Sequence, residues 1–256
     1  MIQTIDFHIL ACEQMKVYPS PLYYRGNVAL LQRPKISIVG TRHPILYTKT
    51  VTQRLARQLA MSGVCLVSGG AQGVDGLVHS AAGFSNTIMV AGTGLDRRYP
   101  AIHAKMIEGI ENEGLVLSQF EAGHPSTKWN FPKRNELVVA LGDALVVMQA
   151  DLNSGSMHSV TFALKMKKPI YVLPHRLGES EGTAMLLEKG LAKPLYNIDA
   201  FVAQFSPLDV TCNDDFLVYV DTHPLYHEAV EKFPEKVFEY ECLGTISVEN
   251  GRLKRT

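Results

Sequence analysis

The sequence predicts an α/β fold. An extended Rossmann-like domain with a parallel or mostly parallel sheet is followed by a small C-terminal winged-helix-like helical domain. Three observations carry this expectation. Short apolar runs rich in β-branched residues alternate with segments of helical periodicity. The runs are apolar almost throughout, as strands covered by helices on both faces are. Glycine-rich or hydroxyl-bearing turns follow one run after another, at the edge where a parallel sheet binds its ligands.

In order, Lys35–Val39 is the first strand, closed by Gly40. A helix over Thr50–Ser62 follows, because Val51, Leu55 and Leu59 recur every four residues with Arg54, Arg57 and Gln58 on its other faces. Gly63 suits the left-handed position after that helix. Val64–Val67 is the second strand, and a helix over Val74–Ala82 opens after the turn SGGAQGVD. Thr87–Ala91, Gly114–Ser118, Ala144–Met148 and Pro169–Leu173 read as further strands. Helices over Ala101–Asn112, Arg134–Leu141 and Ser156–Met166 alternate with them, which implies right-handed crossovers. The Rossmann-like domain spans 1–206, with 1–34 as its N-terminal extension, and the small domain spans 207–256. There, acidic residues (Asp209, Asp214, Asp215) precede two short amphipathic helices marked by Val230, Val237 and Leu243. Thr245–Val248 before Asn250-Gly251 reads as a hairpin.

The chain has 256 residues, 46% hydrophobic and 20% charged, an ordinary globular composition. Lys+Arg and Asp+Glu are both 25, so the formal net charge is zero. That argues against coating nucleic acid by bulk charge and leaves room only for a local basic patch. No signal-peptide core and no long apolar run is visible, so the expectation is a cytoplasmic protein without a membrane span. The cysteines Cys12, Cys65, Cys212 and Cys242 are scattered, which suggests neither a disulfide framework nor a zinc site. No metal and no cofactor is expected.

Five stretches carry chemistry. Ser68-Gly69-Gly70-Ala71-Gln72-Gly73-Val74-Asp75 joins a strand to a helix, and its glycines and free amides suit a phosphate. Its spacing is neither that of a dinucleotide fingerprint nor that of a P-loop. Val39-Gly40-Thr41-Arg42-His43-Pro44 offers the planar fork of Arg42 to phosphate. Gly92-Thr93-Gly94-Leu95-Asp96, with Tyr99-Pro100, lies on the same edge. In Lys128-Trp129-Asn130-Phe131-Pro132-Lys133-Arg134-Asn135, three cations interleave with two aromatics, a pattern that suits phosphates and stacked bases of single-stranded nucleic acid. Trp129 reads as the core anchor there and Phe131 as the stacking residue. Asn153-Ser154-Gly155-Ser156-Met157 offers hydroxyls and amides, or a plain helix cap. By contrast, no catalytic constellation is apparent. His43, His79, His103 and His158 are scattered without metal-ligand spacing and read as solvated or hydrogen-bonded residues.

The order IVGTRHP, LVSGGAQGVDGLVHSAA, GTGLDRRYP, FPKRNELV, SGSMHSVTFAL, PIYVLP resembles the DNA processing protein A family, in its short epsilon-proteobacterial form, over roughly residues 18–192. That resemblance implies a homodimeric, non-enzymatic binder of single-stranded DNA; the stretch from 207 onward, which matches weakly, is the candidate for duplex DNA or partner contact. The resemblance implies a role in natural transformation: protecting incoming DNA and helping to load the RecA recombinase. It assigns Arg42 and Lys128 to phosphate and Phe131 to a base. Ser68, Gly69, Gly70 and Gly73 become backbone and hydroxyl donors, and Arg134 and Asn135 line or brace the pocket. Asp75, Ser154, Gly155 and Ser156 complete the expected interface. Gln72 departs from the arginine of many members. The alternatives are a nucleotide sensor and a phosphoribohydrolase of the lysine-decarboxylase-like type. The latter's PGGxGTxxE motif is absent from the sequence.

Overall fold

Two units divide the chain, Met1–Pro207 and Leu208–Thr256. A computed structural model describes residues 1–206, 215–242 and 244–255. Asp209, Cys212, Asp214 and Leu243 therefore lie outside the described residues.

The larger unit is a nine-stranded sheet. Its strands are β1 (Gln3–Thr4), β2 (Tyr23–Gly26), β3 (Lys35–Val39), β4 (Cys65–Ser68), β5 (Thr87–Ala91), β6 (Leu115–Ser118), β7 (Ala144–Val147), β8 (Ile170–Val172) and β9 (Lys193–Pro194). They run in the order β1-β2-β6-β5-β4-β3-β7-β8-β9. All pairs from β6 to β9 are parallel; β1–β2 and β2–β6 are antiparallel. The fold is thus the mostly parallel Rossmann-like sheet that the apolar runs predict. The N-terminal extension supplies its antiparallel edge.

The helices of this unit are α1 (Leu46–Met61), α2 (Val74–Ala82), α3 (Ala104–Glu113), α4 (Asn130–Leu141), α5 (Gly155–Lys165), α6 (Glu181–Glu188) and α7 (Ile198–Ala203). Alternation along each strand sends side chains to two layers. Cys65, Val67, Leu145 and Val147 pack with Leu137 of α4 and Val160 of α5. Leu66, Ile36, Ile38 and Val146 pack on the other face with Leu55 and Leu59 of α1 and Val78 of α2. The stripe on α1 is therefore the one its four-residue spacing implies, and Cys65 is the core residue expected of its apolar run.

In the second unit, α8 (Asp215–Val220), α9 (Tyr226–Lys232) and α10 (Pro234–Cys242) precede a hairpin of β10 (Ile246–Glu249) and β11 (Arg252–Arg255). Asn250 (φ 53°) and Gly251 (φ 74°) form its turn. Two consecutive left-handed residues match the strand twist, which is why Asn-Gly signals a hairpin. Phe216, Val220, Ala229, Val237, Ile246 and Leu253 form its core. No described helix is long and apolar enough to cross a membrane.

Candidate functional site

β3 and β7 are neighbours, yet the chain leaves β3 through α1 toward β4 and leaves β7 through α5 toward β8. The loops beyond the two strands part, and a crevice opens at that switch point. Three adjoining clefts of about 310, 110 and 490 Å³ line this edge, and Arg42 borders all three. Arg42 is exposed and makes no ion pair among the described residues. Its guanidinium is available to an anion.

The loop that carries Arg42 is fixed from both sides. Thr41 N donates to Gln149 O (2.8 Å), and Val74 N donates to Thr41 O (3.1 Å). Gly73 has φ +85°, and a Cβ there would overlap Thr41 O. Only glycine lets the start of α2 sit against this loop.

The turn from Ser68 to Asp75 differs from expectation at several residues. Ser68 is fully buried and its hydroxyl donates to Ile38 O (2.7 Å). That hydroxyl closes a bond within the sheet, so Ser68 is corrected from a ligand donor to a structural residue. Gly70 lines none of the three clefts; its carbonyl meets His103 Nδ1 (3.1 Å). The carbonyl of Gly69 accepts from Arg134 Nη1, and Val90 O accepts from the same nitrogen (2.8 Å). Arg134 Nε donates to Asn135 Oδ1 (2.9 Å). Arg134 is 5% exposed, so it braces the turn from beneath while one edge faces the clefts. Asp75 is buried and accepts from Ala71 N (3.3 Å). Burial pushes its carboxyl above the ordinary value, and the Arg134 charge opposes that. Asp75 acts within the turn as a brace.

The cation–aromatic segment is organised by a residue that its pattern does not single out. Asn130 is 6% exposed; its Nδ2 donates to Gly92 O (2.8 Å) and Pro125 O (2.9 Å), and its Oδ1 accepts from Thr127 Oγ1 (2.7 Å). Asn130, not Trp129, is the anchor: Trp129 is 76% exposed. The expected role of Trp129 fails because the helix begins at Asn130, four residues before Arg134, and turns the indole outward. Lys128 is exposed, with Nζ 5.3 Å from the Trp129 ring centre, and borders none of the three clefts. Phe131 does border two of them. Its ring packs over Gly92, where a Cβ would stand 3.2 Å away, and lies 6.2 Å from the Tyr99 ring.

Asn135, Ser154, Gly155 and Ser156 line the 310 Å³ cleft together with Arg42 and Phe131. Ser159 also lines it, and Tyr99 lines the smallest cleft. Tyr99 belongs to the loop that the sequence places on this edge; Ser159 was not singled out, although it stands four residues after Gly155 and so on the same helix face. His79 is fully buried, with Nδ1 2.6 Å from Thr87 Oγ1. The Thr87 hydroxyl donates to Leu66 O, so it accepts from Nδ1–H. Burial, with His103 and Arg134 nearby, pushes the imidazole down to about 3.

The family model of DNA recombination-mediator protein A matches residues 8–206. The chain belongs to the DNA recombination-mediator protein A family. One solved member, DNA processing protein A from Helicobacter pylori, superposes with a TM-score of 0.78 at 43% identity, covering 80% of this chain and 95% of that one. That structure is described for its single-stranded DNA binding mode. DNA processing protein A from Streptococcus pneumoniae superposes with a TM-score of 0.74 at 30% identity, covering 80% and 74%. Protein Smf of Synechocystis is 36% identical over 183 residues, 67% of this chain and 46% of its own length. The chain thus spans about half the length of that curated relative. The matched span of the family model closes at the end of the nine-stranded unit.

Proposed function

We propose that this chain binds single-stranded DNA along the C-terminal edge of the nine-stranded sheet, without catalytic turnover. The observation that carries this is the joining of three clefts around Arg42, a guanidinium with no carboxylate partner among the described residues. Phosphate contacts fall to Arg42, to the amides of Gly69 and Gly73, and to the α5 start at Ser154, Gly155 and Ser156. Phe131 offers a ring face to a base, and such stacking is worth about 1–3 kcal/mol. Lys128 and the exposed Trp129 extend the track beyond the clefts, where a strand of several nucleotides passes and a mononucleotide does not. Arg134, Asn135 and Asp75 hold this surface in shape.

The solved Helicobacter pylori relative supports the ligand, and the family description supports a recombination-mediator role. Within that role we place protection of incoming strands during natural transformation, delivery to the RecA recombinase, homodimerisation and residence in the cytoplasm. The unit after residue 207, three helices and a hairpin, we read as winged-helix-like and suited to duplex DNA or a partner.

The test is a gel-shift series with a dT oligomer, the matching duplex and a mononucleotide competitor. Retention of the single strand, weaker retention of duplex and failure of the mononucleotide to release the strand are expected. Release by equimolar mononucleotide would instead favour a nucleotide sensor.

A further inference from the structure

The first turns of α5 carry two hydroxyls, on Ser154 and Ser159, that no described residue satisfies. Ser154 holds the N-cap position, where a serine oxygen ordinarily accepts from a first-turn amide. Its Oγ makes no capping bond and is buried without a partner. Ser159 is fully buried, forms part of the cleft wall, and its Oγ also lacks a partner. Leaving a buried hydroxyl unpaired is unfavourable, and the fold places two of them at one helix end.

Their surroundings suit an anion. The first-turn amides of an 11-residue helix point into the crevice and carry the positive end of its dipole. Gly155 has open space where a Cβ would project. Arg42 stands across the cleft. Asp75 shares the wall, with the Arg134 charge set against its own. The cleft, about 310 Å³, lies at the small end of ligand pockets, roughly 300–1,000 Å³. It holds one nucleotide unit.

We propose that the α5 N-terminus is a phosphate monoester site. A monoester presents three strong acceptor oxygens. They match three kinds of donor here: the Ser154 and Ser159 hydroxyls, the first-turn amides, and the Arg42 guanidinium. The monoester is supplied either as the terminal phosphate of a strand or as a free nucleoside monophosphate. The source of the phosphate rests on the strand-binding proposal; the site itself does not.

The test measures affinity for a short dT oligomer carrying a 5′-phosphate, for its 5′-hydroxyl twin, for dTMP and for inorganic phosphate. Wild type and Ser159→Ala are compared. A strand-end site makes the phosphorylated oligomer about tenfold tighter than its twin, the scale of one charge-assisted hydrogen bond, and Ser159→Ala removes the difference without weakening the twin. A free-nucleotide site leaves the twins equal while dTMP binds in a Ser159-dependent way. Equal twins with no binding of dTMP or inorganic phosphate would overturn the site and leave strand binding standing. Binding of dTMP with no retention of either oligomer would do the reverse. Removing an unpaired buried hydroxyl does not harm the free protein, so Ser159→Ala is expected to melt at or above the wild-type temperature; a purely structural serine would lower it.

Discussion

At the scale of single residues, Arg134 shows how a pattern of charges is read too simply. From the sequence it is one of three cations in a row with two aromatics. In the fold it is buried, and its donors are taken by Gly69 O, Val90 O and Asn135 Oδ1. Replacing it by methionine leaves two buried carbonyls without donors, and each such loss costs about 1–3 kcal/mol. Arg134→Met is therefore expected to lower the urea midpoint strongly, whereas Arg42→Ala, at an exposed and unpaired position, should change stability by no more than about 0.5 kcal/mol. Equal stability losses in the two variants would contradict the division between brace and ligand contact. His79 gives a pH signature at the same scale. Its imidazole titrates near 3 in the fold against about 6.5 unfolded. Between those values the unfolded chain holds the extra proton, so stability is full above about pH 6.5 and is lost as pH falls. At pH 4.5 the loss is roughly 3 kcal/mol. A His79→Gln variant should show a flatter fall in melting temperature from pH 7 to 4.5, and an unchanged slope would count against a neutral buried imidazole.

At the scale of elements, strands were more legible than helix starts. β3 and β5 occupy the residues that their apolar runs mark, and α2 runs over the expected Val74–Ala82. α1 begins at Leu46, four residues before Thr50, because its first turn buries Thr48 through a bond to Gln149 (2.9 Å) and not through an apolar residue. α4 begins early for a similar reason, with a polar anchor at Asn130. Hydrophobic periodicity does not report helix turns held by buried hydrogen bonds. The same blindness hid Ser68, Asn130 and Ser159, whose roles depend on carbonyls and cavities far away in sequence. Two substitutions separate anchor from surface at the start of α4. Asn130→Ala should cost about 1–3 kcal/mol and weaken strand binding by loosening Phe131. Trp129→Ala should leave the melting temperature nearly unchanged and weaken binding alone; thermal melts with oligomer titrations distinguish the two.

At the scale of the whole molecule, zero net charge is compatible with the proposed strand binding because the proposed contact residues gather on one edge of the sheet. Some basic groups elsewhere are neutralised locally: Arg98 pairs with Glu108 and Glu111, and Arg25 with Glu111. Arg42, on the cleft edge, has no such partner among the described residues. The sequence pattern indicated the sheet, the order of its loops and the edge they share. It did not indicate which loop residues point into the crevice, since that depends on the strand order β4-β3-β7-β8 and on the parting of α1 and α5. The most direct test of strand binding at this edge is the salt dependence of affinity for a dT oligomer, measured by fluorescence polarisation for wild type, Arg42→Ala and Phe131→Ala. Binding that is weakened in both variants, with a salt slope shallower by about one in Arg42→Ala and unchanged in Phe131→Ala, is the predicted result. Wild-type affinity and slope in both variants would contradict it.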